Sequence, residues 1–483
     1  MRILQIILLC FIGQYAIGQF SLTNLTEVQV GKLPDENRPS FVSLYDRFIV
    51  NYRIGNLKLS ATAESYVTPI SNRNFAALSQ ASLSYRKKRW SIKLGNFYET
   101  IGRGLLIRSF EIQGALLEDF GFRSRNYFHR DHLGALVKYK GKKFNVTTMY
   151  SQVLNNALPP TFERAQRRNQ SVYAVAAEYK LPKRQKIGAS YVVIQDERLD
   201  LQHLYSVSLT GPLFKVLNYY VEFANAQSSI NNNALYAGVN GFIGDLSFNI
   251  EYKNYQDFII GNGFNEPPAL IKQQTYRTLN RSVHVTNPLD ESGYQIDLFY
   301  TFNEHSSINV NHALASNEFG SNTFNFREYF AEWKSVFGNY HEYKIFVDYA
   351  EDPFKRESRR VSVGTYWELG LHENIRLLPQ VEYQTFIRPE GRVENQSYAL
   401  ALQAGKDVAV SLVAERTTDP FLIFDESTTE RWYVGGNLSV KPHSRHTLNF
   451  FLGERRGGPL CTAGVCYEIL DFQGLEVRWT GRF

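Results

Sequence analysis

The stretch Gly102-Arg103-Gly104-Leu105-Leu106-Ile107-Arg108 holds the most distinctive chemistry in this chain. A phosphate-binding loop would need Gly-Lys-Ser/Thr opening a helix after a buried strand, and that context is missing. The same residues can instead form a turn that carries Arg103 and Arg108 into a pore, where cationic side chains favour anions. The plainer account is a strand-edge or loop motif whose glycines only shape the backbone, and glycine in barrel strands often marks bends. Our expectation for Arg103 and Arg108 as pore-lining, selectivity-setting residues is held against that account.

His129-Arg130-Asp131-His132 invites a metal reading. Histidines three apart share a helix face, but the residues that follow, Leu133 to Val137, read as strand, where the two would point to opposite faces. We therefore expect no metal and no cofactor. Arginines at Arg164, Arg167 and Arg168, at Arg359 and Arg360, and at Arg455 and Arg456 fall near expected loop mouths. They could rim a channel for anions or contact lipopolysaccharide phosphates, with solvated loop charge as the plain alternative. Ten His and 47 acids make accidental Ser/His/Asp sets easy to assemble, and no spacing singles one out, so we expect no enzyme and no catalytic residue. A surface lipase or protease would have to show itself by hydrolysis lost on changing one His.

The elements that must position these residues are legible from the chain's ends inward. Arg2, the apolar run from Ile3 to Ile17, and Ala16-Ile17-Gly18 form a signal peptide over residues 1–18, with cleavage expected before Gln19. An uncleaved anchor would need a longer run than this one, which Gln5 and Gln14 interrupt. Beyond it, Cys461 and Cys466 remain, and an even pair in an exported chain argues for one local disulfide. The aromatic share is 14%, with 30 Tyr and 34 Phe, which suits strands and interfacial girdles. No later stretch approaches the roughly 20 apolar residues of a membrane helix, so a membrane-spanning version of this chain must cross with strands. Net charge is only +6, which is no nucleic-acid signature.

Alternation with a period of two recurs along the chain. Leu57, Leu59, Ala61 and Ala63 alternate with Lys58, Ser60, Thr62 and Glu64; Leu246, Phe248, Ile250 and Tyr252 alternate with Ser247, Asn249, Glu251 and Lys253. Val361, Val363 and Trp367 stand against Ser362, Gly364 and Glu368, and the last residues place Leu475, Val477, Trp479 and Phe483 against Glu476, Arg478, Thr480 and Arg482. An apolar Trp479 and a final Phe483 on one register look like the closing strand of an outer-membrane barrel, which must pair on both edges. A sandwich would put the polar face outside, whereas a barrel in lipid keeps it in the lumen. Eleven short links, among them 54–56, 141–142, 211–213, 244–245 and 405–406, alternate with longer ones such as 155–169, 256–287 and 418–430. Short turns alternating with long loops are the asymmetry of outer-membrane barrels. The fold expected is all-β, a single closed antiparallel transmembrane barrel over 19–483, of about 24 strands within a range of about 18 to 26. Segments 100–130 and 256–287 resist the hairpin scheme and are expected to fold inward as plugs.

The run Arg455-Arg456-Gly457-Gly458, then Cys461, Cys466 and the stretch 472–483, together with Gly95-Asn96-Phe97-Tyr98 and Gly102-Arg103-Gly104-Leu105, resembles a porin-like, functionally uncharacterised family of outer-membrane barrels in Gram-negative bacteria. The resemblance covers essentially the whole processed chain and carries over no catalytic residue. Its motifs say almost nothing of activity; the reading drawn from the barrel itself is an outer-membrane channel for small solutes through a polar, partly plugged lumen. The alternative is a non-catalytic structural component of a surface or secretion assembly. Expected partners are outer-membrane lipid and lipopolysaccharide, the barrel-assembly machinery during insertion, and outer-membrane proteins in the second case. The amino-terminal plug domain and energy-coupling box of a TonB-dependent receptor are not found in the sequence.

Overall fold

A computed structural model describes residues 18–32, 40–111, 116–118, 125–127, 129–154, 167–196, 199–227, 231–258, 268, 270–272, 274–284, 290–319, 322–338, 341–423, 427–462, 465–469 and 471–483. The apolar run of the expected signal peptide, through Ile17, lies outside these residues.

Period-two segments become strands because extended backbone sends successive side chains to opposite faces. Twenty-four strands form one antiparallel sheet. The first, Gln19–Lys32, pairs with its sequence neighbour Phe41–Ile54 on one edge and with the last strand, Phe472–Arg482, on the other. The sheet therefore closes on itself and leaves no edge to template aggregation. At the seam Val28 faces Val477 and Thr26 faces Trp479, while the Phe483 N–H donates to the Leu22 carbonyl at 2.8 Å.

Which face is wet is settled by burial. In His341–Asp352, Val347 is 51% exposed while the next residue, Asp348, is 3% exposed. In Leu57–Val67, Leu59 is 50% exposed and Glu64 is 4% exposed. A protein core would reverse this; hydrocarbon outside and a polar lumen inside produce it. The outward aromatic residues gather at two levels. Tyr150 packs on Tyr173 and Tyr191 on Tyr205 at one end, whereas Trp90 packs on Tyr139 and Tyr343 on Trp367 at the other. Tyr173 and Tyr179, Tyr294 and Tyr300, and Tyr343 and Tyr349 each stand six positions apart on one register. That spacing is ~20 Å along a strand, close to the height of a lipid-facing band.

The short links fall at one end of the barrel as tight connections; in the link 338–341 only Gly338 and His341 are among the described residues. Gly55, Gly244 and Gly405 sit there with φ near +55 to +59°, the left-handed conformation such turns need. Two boundaries differ from the expectation by more than one residue: residues 211–213 belong to the strand Leu199–Leu213, with the turn at 214–216, and Pro442 and His443 of the expected link 442–444 belong to the strand Arg431–His443, with the turn at 444–445. Pro212 tolerates the strand because it lies near its end. The opposite end carries the long connections, including two short hairpins, Leu116–Glu118 with Arg125–Tyr127 and Gly458–Thr462 with Val465–Ile469.

Candidate functional site

The inner wall is dense with ionisable side chains, and many of them pair with one another. Lys253 and Glu291, both fully buried on adjacent strands, form an ion pair. Arg360 reaches Glu328 at 3.2 Å, Glu357 at 3.6 Å and Asp348 at 3.7 Å. At the closure Gln29 donates to Glu476 at 2.8 Å, and Arg478 pairs with Glu27. Removing one partner of such a buried pair leaves an uncompensated charge, so the wall resists rearrangement.

Residues 99–111 fold inward against this wall. The Ser109 N–H donates to the Glu99 carbonyl at 2.9 Å, Ile101 to Ile107 at 3.0 Å, and Gly104 to Ile101 at 3.0 Å, closing a tight loop. Gly102 (φ +62°) and Gly104 (φ +97°) take left-handed conformations there. A Cβ on Gly102 would lie 2.6 Å from a Glu222 oxygen, so that position has no room for one. The glycines thus shape the chain, as the plain account held, and in doing so they present their neighbours. The Arg103 N–H donates to Glu222 at 2.9 Å and to the Tyr220 hydroxyl at 3.0 Å, and its exposed guanidinium lies 5.1 Å from the Tyr220 ring centre. Arg108, half-buried, stacks over Phe110 at 4.9 Å. Leu105, Leu106 and Ile107 are buried against Val172, Ala174, Val192, Ile194, Leu204, Ala224 and Ala234. These are inward-facing positions, and they make an apolar pad on the luminal wall. The sequence carried a signal for it: 172–177 and 191–194 are apolar or aromatic on both registers, which one lipid-facing side does not require.

The exit from this segment is tied down by the histidine motif. His129 Nε2 lies 2.6 Å from Glu64, and Asp131 accepts from Asn96. His132 Nδ1 lies 2.8 Å from the Ser151 hydroxyl, and its ring stacks on Phe97. The two histidines serve different partners, and no group of three or more metal-ligating side chains occurs among the described residues.

The second infolded segment contains one helical turn, Arg277–Arg281. Its first N–H groups, from Arg277 and Thr278, donate to Glu382 at 3.0 and 2.8 Å, and the Thr278 hydroxyl adds a third bond at 2.7 Å. A carboxylate there satisfies donors that a helix leaves orphaned and complements its dipole. At the other end Arg281 pairs with Glu415 at 3.0 Å and donates to the carbonyls of Arg456 and Gly457. Tyr276 and Leu279 pack on Phe330 and Phe346, and Ile271 and Val283 on Ala313, Ala315 and Phe326. His284 lies 3.2 Å from Asp352. Sequence reasoning singled out neither Glu222 nor Glu382 as a site residue, because an isolated inward acid looks like any other luminal charge until a backbone turn lands on it.

The arginine doublets divide their duties. Arg360 is the buried hub above, whereas Arg359 is exposed with φ +51°. Arg455 pairs with Glu476 at 3.2 Å. Arg164 lies outside the described residues; Arg167 and Arg168 begin the strand Arg167–Lys180. Cys461 and Cys466 are opposite one another in backbone register within the hairpin after Gly458.

A family of unknown function, DUF6029, matches residues 44–114 and 240–373. No curated protein matches the chain. Among solved structures, it is similar to the translocation pore of the P pilus usher PapC, at TM-score 0.52 and 9% identity over 96% of this chain and 99% of that one. It is also similar to OccK5 (OpdH) of Pseudomonas aeruginosa, at TM-score 0.40 and 15% identity over 77% and 98%, and to a BenF-like porin from Pseudomonas fluorescens Pf-5, at 0.40 and 10% over 70% and 94%. The fold is a closed barrel of 24 antiparallel strands, and it is the fold alone that the likeness to the usher pore supports.

Proposed function

We propose that this protein is an outer-membrane channel through which small solutes diffuse, with the residues 99–111 and 268–284 narrowing its lumen. One observation carries the reading: apolar side chains are exposed outward while ionisable ones line the interior, an arrangement suited to lipid outside and water within. In this reading residues 1–18 are a cleaved signal, the tight turns face the periplasm, lipopolysaccharide surrounds the long loops, and assembly machinery inserts the barrel. Arg103, held over Tyr220 with its head group exposed, and Arg108 bias passage toward anions. Cys461 and Cys466 form a local disulfide, a pairing that their opposite register favours. No reaction is assigned to the protein.

Purified barrel in planar bilayers should conduct, with a preference for anions that weakens in Arg103→Glu and Arg108→Glu. Absence of conductance refutes the pore; unchanged ion preference in both variants refutes the selectivity role. A second reading, a component of a surface or secretion assembly, draws on the similarity to the usher translocation pore along 96% of the chain. It calls for stable partners after mild detergent extraction, and a barrel that purifies alone counts against it.

A further inference from the structure

At the long-loop end, five separate segments enclose a cavity of about 440 Å³. Arg281 arrives from the infolded helical turn, Lys355 from the turn after Asp352, Arg388 from a strand end, Asp419 and Phe421 from the link after Thr417, and Arg456 from just beyond Arg455. The acids near it are already committed. Asp419 accepts two bonds from Arg388 at 3.0 and 2.9 Å, and Glu357 pairs with Arg388 at 2.9 Å and with Arg360. Glu415 holds Arg281 and Arg277, and Glu390 holds Arg356 at 3.3 Å.

Two cations are left over. Among the described residues Arg456 makes one bond, to the neutral Asn395 amide oxygen at 3.1 Å, and its Nε has no acceptor. Lys355 Nζ donates to the Val283 carbonyl at 2.7 Å and forms no ion pair among those residues. Burial pushes both groups below their ordinary pKa, and the neighbouring Arg281 charge adds to the effect on Arg456, which falls to about 10. Glu357 and Asp352 act on Lys355 only through space, as Glu415 and Asp419 do on Arg456, and among the described residues no carboxylate pairs directly with either. Two half-buried cations so placed around an open volume ask for an anion. Phe421, 61% exposed, supplies an apolar wall beside them. Glu357 and Asp419 are buried on the luminal register, and Arg281 belongs to the infolded segment, so the cavity opens within the barrel mouth and not on the lipid-facing belt.

We propose that this cavity binds a small soluble organic anion, a carboxylate or phosphate monoester with an apolar group, held by Lys355 and Arg456 and seated against Phe421. Binding requires no conduction, so the site stands or falls apart from the channel reading.

Full-length barrel in detergent, titrated calorimetrically with phenyl phosphate and with inorganic phosphate, tests it. Saturable binding is expected for both, tighter for phenyl phosphate. Lys355→Gln and Arg456→Gln should each weaken it about tenfold, as loss of a charge-assisted bond does. Phe421→Ala should erase the advantage of the phenyl group. Heat-modifiable gel migration verifies that each variant folds, and both cation variants sit in loops. The proposal is overturned if wild-type protein shows no saturable binding, if folded Lys355→Gln and Arg456→Gln bind as wild type does, or if only lipid A vesicles bind and soluble anions fail to compete.

Discussion

Truncating Leu105 and Leu106 together to alanine tests how the first infolded segment is held. Four side chains, Ile101, Leu105, Leu106 and Ile107, are at most 8% exposed and dock it on the apolar pad. At about 1.5–3 kcal/mol each, their burial contributes roughly 6–12 kcal/mol before the entropy of ordering the loop is subtracted. Large-to-small changes at buried leucines cost about 2–5 kcal/mol apiece, so the double variant loses at least about 4 kcal/mol of docking energy. Since about 1.4 kcal/mol is tenfold in population, the undocked state gains nearly a thousandfold. The clip of backbone bonds between Glu99 and Ser109 survives and keeps the excursion local. Single-channel recording should then show steps to a larger conductance that wild type lacks, while Val207→Ala, on the outward face, should behave as wild type does. A folded double variant with unchanged current and no new substates would refute the argument. Either the pad would not be what holds the segment, or the segment would not limit the current.

Glu382→Gln removes the charge that receives the Arg277 and Thr278 N–H groups; a loss of about 1–3 kcal/mol is expected, read as amide exchange over 277–282 accelerated at least about fivefold. Val347→Lys places a cation on the lipid-facing register and should cost about 2–4 kcal/mol in reversible folding into vesicles; an unchanged value would mean that this face is not in hydrocarbon. Arg478→Glu sets like charges together with Glu27 and Glu476 at the closure, so the heat-modifiable folded form should diminish and return in the charge-swapped pair with Glu27→Arg. For the mouth cavity the sign follows from a cation whose pKa is depressed: Arg456 is charged below about 10 and neutral above it. Burial lowers Lys355 as well, so both cations lose charge in the alkaline range; phenyl phosphate affinity should therefore fall as pH rises toward and through 10, and a flat profile would remove both from the site.

Much of the architecture was legible because it is local. Strand alternation, glycine turns such as Gly55 and Gly244, and unequal connections each depend on a few neighbouring residues. The two long segments stood out for the same reason, as stretches that fit no hairpin. The sites inside them were harder. The two glycines around Arg103 looked like a turn and are one, but the partners Tyr220 and Glu222 lie over a hundred residues away. The pad could be suspected from doubly apolar runs near Val172 and Val192, though not what it receives. The mouth cavity was spread over doublets that read as separate solvated charges; Arg455 and Arg456 are adjacent in sequence, yet one pairs with the Glu476 carboxylate and the other, among the described residues, bonds only the neutral Asn395 amide.

By itself the amino-acid sequence determined that the chain is built from amphipathic strands, where they turn, and about how many there are. Only the tertiary structure decided that their oily side is the outer one, which segments lie within, and which charges meet. The reason is physical: a side chain's alternation is set by its own backbone, whereas its solvent and its electrostatic partners are set by strands and loops that closure brings together from far along the chain.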